Sequence, residues 1–408
     1  MEMITWQSNT LQRSSGIAPE CSNYGEDSAR EAVTFHEGFP SYSPTPLIPL
    51  HGLAKELGLG GVFVKDETHR FGLKAFKALG CSYAMGHELA NRLNLSKAAV
   101  NEISFAELCS PEVRRQLGMV TFVTATDGNH GLGVSWAAHE LGHKAEIFMP
   151  VGSARARVES IRELNARCTV TDKNYDDTVR IARDYAAERN AVLIQDTSWP
   201  GYTDVPHRIM QGYTTLALEA VRQMRDLGVD RPTHIFLQAG VGSFAGAMLA
   251  FFTAIFQEQR PVCVIVEPHA ANCLFRSFQA GDGQIRKVTG AMTTIMAGLA
   301  CGEPSILAWN ILRAHADVAL SCSEEVAANG MRLLASPNPG DIPLTGGESG
   351  AVTAGALEYV MTRSCMKALR IRLGLNTQSR ILLICTEGDT NPEMYRRIVR
   401  YGHYACTD

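Results

Sequence analysis

Short apolar runs alternate along this chain with longer stretches in which apolar residues recur every three or four positions. The runs fall at residues 62–64, 120–123, 145–149, 192–194, 235–237, 262–266 and 381–385. Each has strand length and is apolar at successive positions, the pattern of strands covered on both faces. Amphipathic stretches of helix length lie between them, at 154–165, 175–189 and 209–227. This alternation predicts an α/β fold of parallel sheets flanked by helices. The apolar run 245–256 is too short to cross a bilayer and is predicted as a buried helix. Residues 1–34 are polar without clear periodicity and read as an N-terminal arm. Residues 280–300 contain Gly281, Gly283, Gly290 and Gly298 with weak periodicity, which fits either a mobile segment over a site or an irregular connection.

At 408 residues the chain is long enough for two domains with their own cores. An apolar content of 45% and a charged content of 20% are those of a soluble globular protein. The net charge is −4 with both signs interspersed, which argues against a nucleic-acid or anionic-membrane partner. The eleven cysteines (Cys21, Cys81, Cys109, Cys168, Cys263, Cys273, Cys301, Cys322, Cys365, Cys385 and Cys406) are scattered and lack any CxxC pair. Neither a metal site nor a disulfide framework is expected, and a reducing compartment is. The N-terminus lacks a basic region followed by an apolar core, so no export leader is read there and a cytoplasmic location is expected.

Three motifs carry candidate chemistry. Lys74-Ala75-Phe76-Lys77-Ala78-Leu79-Gly80 follows a strand-like run and opens a helical pattern. Burial of a lysine there disfavours the ammonium form and frees a lone pair for attack on an aldehyde; most lysines near helix starts are instead solvated. Thr124-Ala125-Thr126-Asp127-Gly128-Asn129-His130-Gly131 sets Asp127 and Asn129 at a strand's carboxyl end, where open α/β sheets bind ligands. An Asx-type turn capping the next helix explains the same residues. Ala239-Gly240-Val241-Gly242-Ser243-Phe244-Ala245-Gly246 reads as a glycine loop between strand and helix, which turns backbone N–H groups toward a phosphate. The same loop fits the GxGxxA of a nicotinamide dehydrogenase, with Glu267 ending the next strand as a ribose ligand. That reading leaves Lys77 and the Asp127 turn unexplained. A third reading, a non-catalytic binding or scaffold protein, is opposed by the retained Lys77.

In this order the three motifs resemble the fold-type II pyridoxal-phosphate enzymes, the family of tryptophan synthase β and serine/threonine dehydratase, and within it the diaminopropionate ammonia-lyases. Val64-Lys65-Asp66-Glu67-Thr68, Gln195-Asp196-Thr197-Ser198-Trp199 and Thr386-Glu387-Gly388-Asp389-Thr390 extend the likeness over nearly the whole chain. The resemblance implies a large domain from residues 1–79 and 200–408, a small domain at 80–199, a cofactor cleft between them, and a homodimer. It implies pyridoxal 5'-phosphate on Lys77, with Lys74 and Lys65 as competing amines and Phe76 packed near the cofactor. Ala239, Gly240, Val241, Gly242 and Ser243 would hold the phosphate, Asn129 the ring oxygen, and Thr386 the pyridine nitrogen. A hydroxyl partner does not force ring protonation, which suits β-elimination. Glu348 and Ser349 would face the ring or simply start a helix. The implied reaction is α,β-elimination of 2,3-diaminopropionate to pyruvate and ammonia. Lys77 would be the base for the L isomer, Asp127 the base for the D isomer, and Asp196 the partner of the β-ammonium. Lys74, Pro200 and His207 depart from the family pattern. An extra cation at Lys74 would weaken a dicationic substrate, which leaves open β-elimination or β-replacement on another β-substituted amino acid.

Overall fold

The protein is described here from a computed structural model covering residues 2–11, 16–93 and 104–405; Cys406 and residues 12–15 of the N-terminal stretch lie outside the described residues. The strands are β1 (Ile4–Ser8), β2 (Leu47–Pro49), β3 (Gly61–Asp66), β4 (Thr121–Ala125), β5 (Lys144–Met149), β6 (Arg167–Val170), β7 (Val192–Leu193), β8 (His234–Gln238), β9 (Val262–Pro268), β10 (Val318–Cys322) and β11 (Arg380–Cys385). They form a seven-stranded sheet in the order β1-β10-β9-β8-β11-β3-β2 and a four-stranded sheet in the order β6-β5-β4-β7. The small sheet is parallel throughout. In the large sheet the edge strands β1 and β2 pair antiparallel with their neighbours and the interior pairs are parallel.

Every predicted apolar run is a strand, and the reason is burial on both faces. Ile381 and Leu383 of β11 share one core with Val62, Val64 and Phe236. The alternate residues Leu382 and Ile384 join Phe63, Ile235 and Leu237 in the core on the other face. With both faces covered, no position calls for a polar residue. The predicted helices appear as Arg155–Glu163, Tyr175–Glu188 and Asp204–Asp226, and the apolar run from 245 lies in the buried helix Ser243–Phe256. Among the described residues no helix is long and apolar enough to cross a membrane.

The N-terminal stretch is more structured than its polarity suggests. Strand β1 adds antiparallel to β10 with Ile4 fully buried, and the helix Glu26–Glu37 buries Ala29, Ala32, Val33 and His36 along one stripe. An edge strand with one buried residue has too few apolar positions to show a period, so this stretch reads as polar although part of it is ordered. Strand β6, at the edge of the small sheet, was hidden for the same reason. Residues 281–296 contain no helix or strand.

Two close contacts fix where Lys77 stands. The helices Ala78–Arg92 and Asp204–Asp226 cross at Gly80 and Gly212, where a Cβ on Gly212 would come within 2.5 Å of Leu79 O. Behind β3, Glu219 of the second helix accepts from Lys65 Nζ at 2.6 Å and from Arg70 Nη2 at 2.7 Å, while Arg70 also pairs with Glu67 at 2.8 Å. All four side chains are buried. Burial pushes the Glu219 carboxyl up, but Arg70 and Lys65 outweigh it and bring its pKa down to about 2. Removing one member of such a network strands the others without a counter-charge, at a cost of about 3–5 kcal/mol. Glu219→Ala is therefore expected to lower the urea midpoint at neutral pH by that equivalent. A depressed carboxylate contributes above its unfolded pKa, and that contribution fades as pH falls through the folded value. The gap between variant and parent should hold above the ordinary value of 4.5 and close toward pH 2.

Candidate functional site

The carboxyl ends of parallel strands collect on one side of a sheet, and ligands bind in the crevice outside them. Here both sheets direct those ends toward one cavity. Phe76 and Lys77 reach it from the segment after β3, Asp127, Asn129 and His130 from β4, and Asp196 from β7. Gln238, Ala239, Gly240, Val241, Gly242 and Ser243 reach it from β8, and Thr386 and Glu387 from β11. Every residue that the family resemblance assigns to catalysis or the cofactor lines this cavity, and Ser349 does too; Glu348 and the competing Lys65 and Lys74 do not.

Lys77 precedes the helix Ala78–Arg92, and its Nζ donates to Asp196 Oδ2, with the two side chains 18% and 4% exposed. Burial alone would favour the neutral amine, as the sequence predicts. The charges of Asp196 and Asp127 reverse that and hold the Lys77 pKa well above its ordinary value. Burial likewise pushes Asp196 up, but the Lys77 ammonium bonded to it draws the carboxyl below its ordinary value. The expected free amine is thus an ion pair. The competing lysines are engaged elsewhere: Lys65 in the Glu219 network, and Lys74 with Asp389 Oδ1 at 2.7 Å, half exposed. The surplus cation anticipated at Lys74 has its own counter-charge.

Thr126, not Asp127, holds the turn after β4. Its Oγ1 accepts from Gly128 N at 2.8 Å and from Gly131 N at 3.0 Å. Asp127 is therefore not the helix cap. Its Oδ2 is buried, accepts no hydrogen bond, and lies 3.8 Å from Arg157 Nη1. Burial raises the Asp127 pKa, opposed by Arg157 and Lys77. Asn129 opens the helix Asn129–Leu141, and its Nδ2 donates to Glu387 Oε2. The other oxygen of Glu387 accepts from Ser349 N at 3.0 Å. No helix starts at Glu387, so Thr386 is not a cap; its Oγ1 accepts from Gln238 Nε2 at 2.8 Å, which leaves its own hydrogen to point elsewhere. His130 Nε2 lies 2.7 Å from Ile194 O, an acceptor only, so Nε2 carries the hydrogen. Burial lowers the His130 pKa and keeps the ring neutral.

Gln238, His130 and Glu387 are site residues that the motifs alone did not single out. The available signal was a polar side chain at the end of an apolar run.

The glycine loop completes the wall. Ser243 Oγ donates to Asp196 O at 2.5 Å, tying the loop to the small sheet. Ala239 N donates to Val266 O at 2.9 Å, so Ala239 extends the sheet and contributes no N–H to the cradle. The N–H groups in the first turn of Ser243–Phe256 have no carbonyl acceptor within the helix. Gly242 has φ of +94°, and a Cβ there would meet Leu312 and Ala308 at 3.2–3.3 Å. Phe76 packs on Tyr213 and Phe244, with ring centroids 4.8 and 4.7 Å away, while also lining the cavity. Glu267 accepts from Leu274 N at 2.9 Å and Phe275 N at 2.6 Å and stands outside the cavity, which removes the ribose ligand of the dehydrogenase reading.

The profile of the family described as pyridoxal-phosphate dependent enzyme matches residues 39–371. The chain belongs to that family. It is 48% identical over 405 residues to diaminopropionate ammonia-lyase of Salmonella typhimurium, covering 99% of this chain and all of that protein. Two crystal structures of the Escherichia coli diaminopropionate ammonia-lyase, each 43% identical, superpose over 98% of both chains. The complex with an aminoacrylate-PLP azomethine reaction intermediate gives a TM-score of 0.89, and the complex with D-serine 0.90.

The cavity fits the family's cofactor on this chain's own atoms. It offers an amine at Lys77, helix N–H groups suited to a phosphate, and buried polar atoms without partners at Gln238 Oε1 and Ser349 Oγ. Gly242→Val, which adds bulk in a left-handed conformation, is expected to lower the cofactor's visible absorbance sharply while far-ultraviolet circular dichroism keeps its parental shape. Undiminished cofactor binding would mean that the phosphate does not use this loop.

Proposed function

We propose that this pyridoxal-phosphate dependent lyase carries out α,β-elimination on 2,3-diaminopropionate, taking up one water and releasing pyruvate and two molecules of ammonia. The observation that carries this reading is one cavity holding both an amine, on Lys77, and a partly buried carboxylate whose Oδ2 is buried and unbonded, on Asp127. The names of the relatives support the substrate, and the D-serine complex supports a cleft that admits a D-amino acid.

Pyridoxal phosphate, when bound, supplies an electron sink that acidifies the α-carbon. On this reading Lys77 holds the cofactor's aldehyde carbon, and N–H groups between Gly240 and Ser243 hold its phosphate. Asn129, steadied by Glu387, faces the ring oxygen. Thr386 turns its hydroxyl hydrogen to the ring nitrogen, an orientation favoured because Gln238 already donates to its oxygen. Phe76 excludes water from one side. Lys77 Nζ takes the α-proton of the L isomer and Asp127 Oδ2 that of the D isomer. Asp196 binds the β-ammonium, a role supported by its hold on the Lys77 ammonium; a charge-assisted hydrogen bond of this kind contributes about 1.5–3 kcal/mol. We further propose that residues 80–199 act as a small domain against a large one, and that the enzyme is a cytoplasmic homodimer. The free cysteines among the described residues support a reducing compartment.

Asparagine at position 127 keeps the shape of the side chain and cannot accept the proton. Asp127→Asn is expected to reduce D-diaminopropionate turnover by about 10²–10⁴-fold, the usual contribution of a general base. L-diaminopropionate turnover, followed by pyruvate release, should fall far less. Equal losses on both isomers would assign Asp127 a structural or electrostatic role.

A further inference from the structure

Asp127 must be ionised to act as a base, yet its receiving oxygen must stay free of hydrogen bonds. Burial works against the first requirement, and any close donor would violate the second. One side chain meets both. Arg157 stands on the helix Arg155–Glu163, on the small-sheet side, and is only 7% exposed. Its Nη1 lies 3.8 Å from Asp127 Oδ2, near enough for charge and too far for a hydrogen bond. Its Nη2 reaches Thr390 Oγ1, beyond β11, at 3.3 Å, so the guanidinium bridges the cleft.

The backbone is shaped to admit this arginine. Gly128 sits between Asp127 and Asn129 with φ of +152°, and a Cβ there would come within 2.7 Å of Arg157 Cδ. The arginine stem therefore lies directly across the turn that carries Asp127. The other charged or titratable groups facing Asp127 are Lys77, Glu387, Tyr175 and Cys301. Glu387 opposes ionisation of Asp127, Tyr175 and Cys301 are held neutral by burial, and Lys77 is shared with Asp196. Arg157 is the cation left to balance the carboxylate, while Glu387 and Glu348 stabilise its own charge in turn.

We propose that Arg157 is a positioning residue for Asp127: its guanidinium keeps the carboxylate ionised at 3.8 Å while leaving Oδ2 open to receive a proton. This inference rests on the two-base reading of the site and adds to it the group that makes the second base competent. Arg157 does not itself line the cavity that holds Lys77 and the glycine loop.

The test compares Arg157→Gln and Arg157→Lys with the parent holoenzyme in kcat/KM against pH, for each isomer of diaminopropionate. In Arg157→Gln the acidic limb for the D isomer should move up by about one pH unit or more, since a neighbouring opposite charge shifts a carboxyl by that order. The limb for the L isomer should stay in place, and Arg157→Lys should recover most of the shift. A readout free of turnover is the isotope-edited carboxyl titration of Asp127, identified by its loss in Asp127→Asn; its midpoint should rise in Arg157→Gln. Should that variant fail to fold, Arg157→Met, which keeps an apolar stem across Gly128 and removes the charge, gives the same comparison. An unmoved Asp127 titration, or equal shifts for both isomers, would overturn the proposal. The titration judges the link between Arg157 and Asp127 even if Asp127→Asn fails to separate the isomers, so the two failures are distinguishable.

Discussion

A charge pair across the meeting of two sheets is the constraint on which the cleft depends. Lys77 comes from the large sheet by way of β3, Asp196 from the small sheet by way of β7, and their side chains pair where both are largely out of water. An unpartnered charge in such a place costs several kcal/mol, so while the Lys77 amine is free, parting the two sheets would strand both charges. Ser243, through its bond to the Asp196 carbonyl, ties the glycine loop to the same point. The amine, the glycine loop and the carboxylates are thereby held in one frame.

Around that pair lies a set of groups whose work is to orient others. Glu387 fixes the amide of Asn129, Gln238 fixes the hydroxyl of Thr386, and the Ile194 carbonyl fixes the tautomer of His130. In a low-dielectric interior such hydrogen bonds are strong when made and costly when broken, which favours a single arrangement of the cavity wall. Asp127 is the exception, with one oxygen left unbonded. On the proposed reading this oxygen receives the α-proton of the D isomer, and its lone pair is unoccupied.

The strands and the residues at their carboxyl ends were legible in the sequence because strands buried on both faces read as unbroken apolar runs, and their ends mark the crevice. Lys77, Asp127 and the glycine loop could be found that way. The ionisation of Lys77 could not, because burial points one way and the decisive partner lies 119 residues distant. Glu387 was hidden for a similar reason, since its link to Asn129 spans 258 residues. Arg157 looks like any basic residue of a polar helix until the turn at Gly128 is seen to make room for it. Strands β1, β2 and β6 escaped notice because edge strands bury too little to show a period, and β10 was missed although it is an interior strand buried throughout.

If this cavity holds pyridoxal phosphate on the amine of Lys77, borohydride reduction of the purified holoenzyme followed by peptide mapping will show it. A single pyridoxyl-lysine, on Lys77, is the expected product. An adduct on Lys74 or Lys65, or a protein that carries no reducible cofactor, would contradict it.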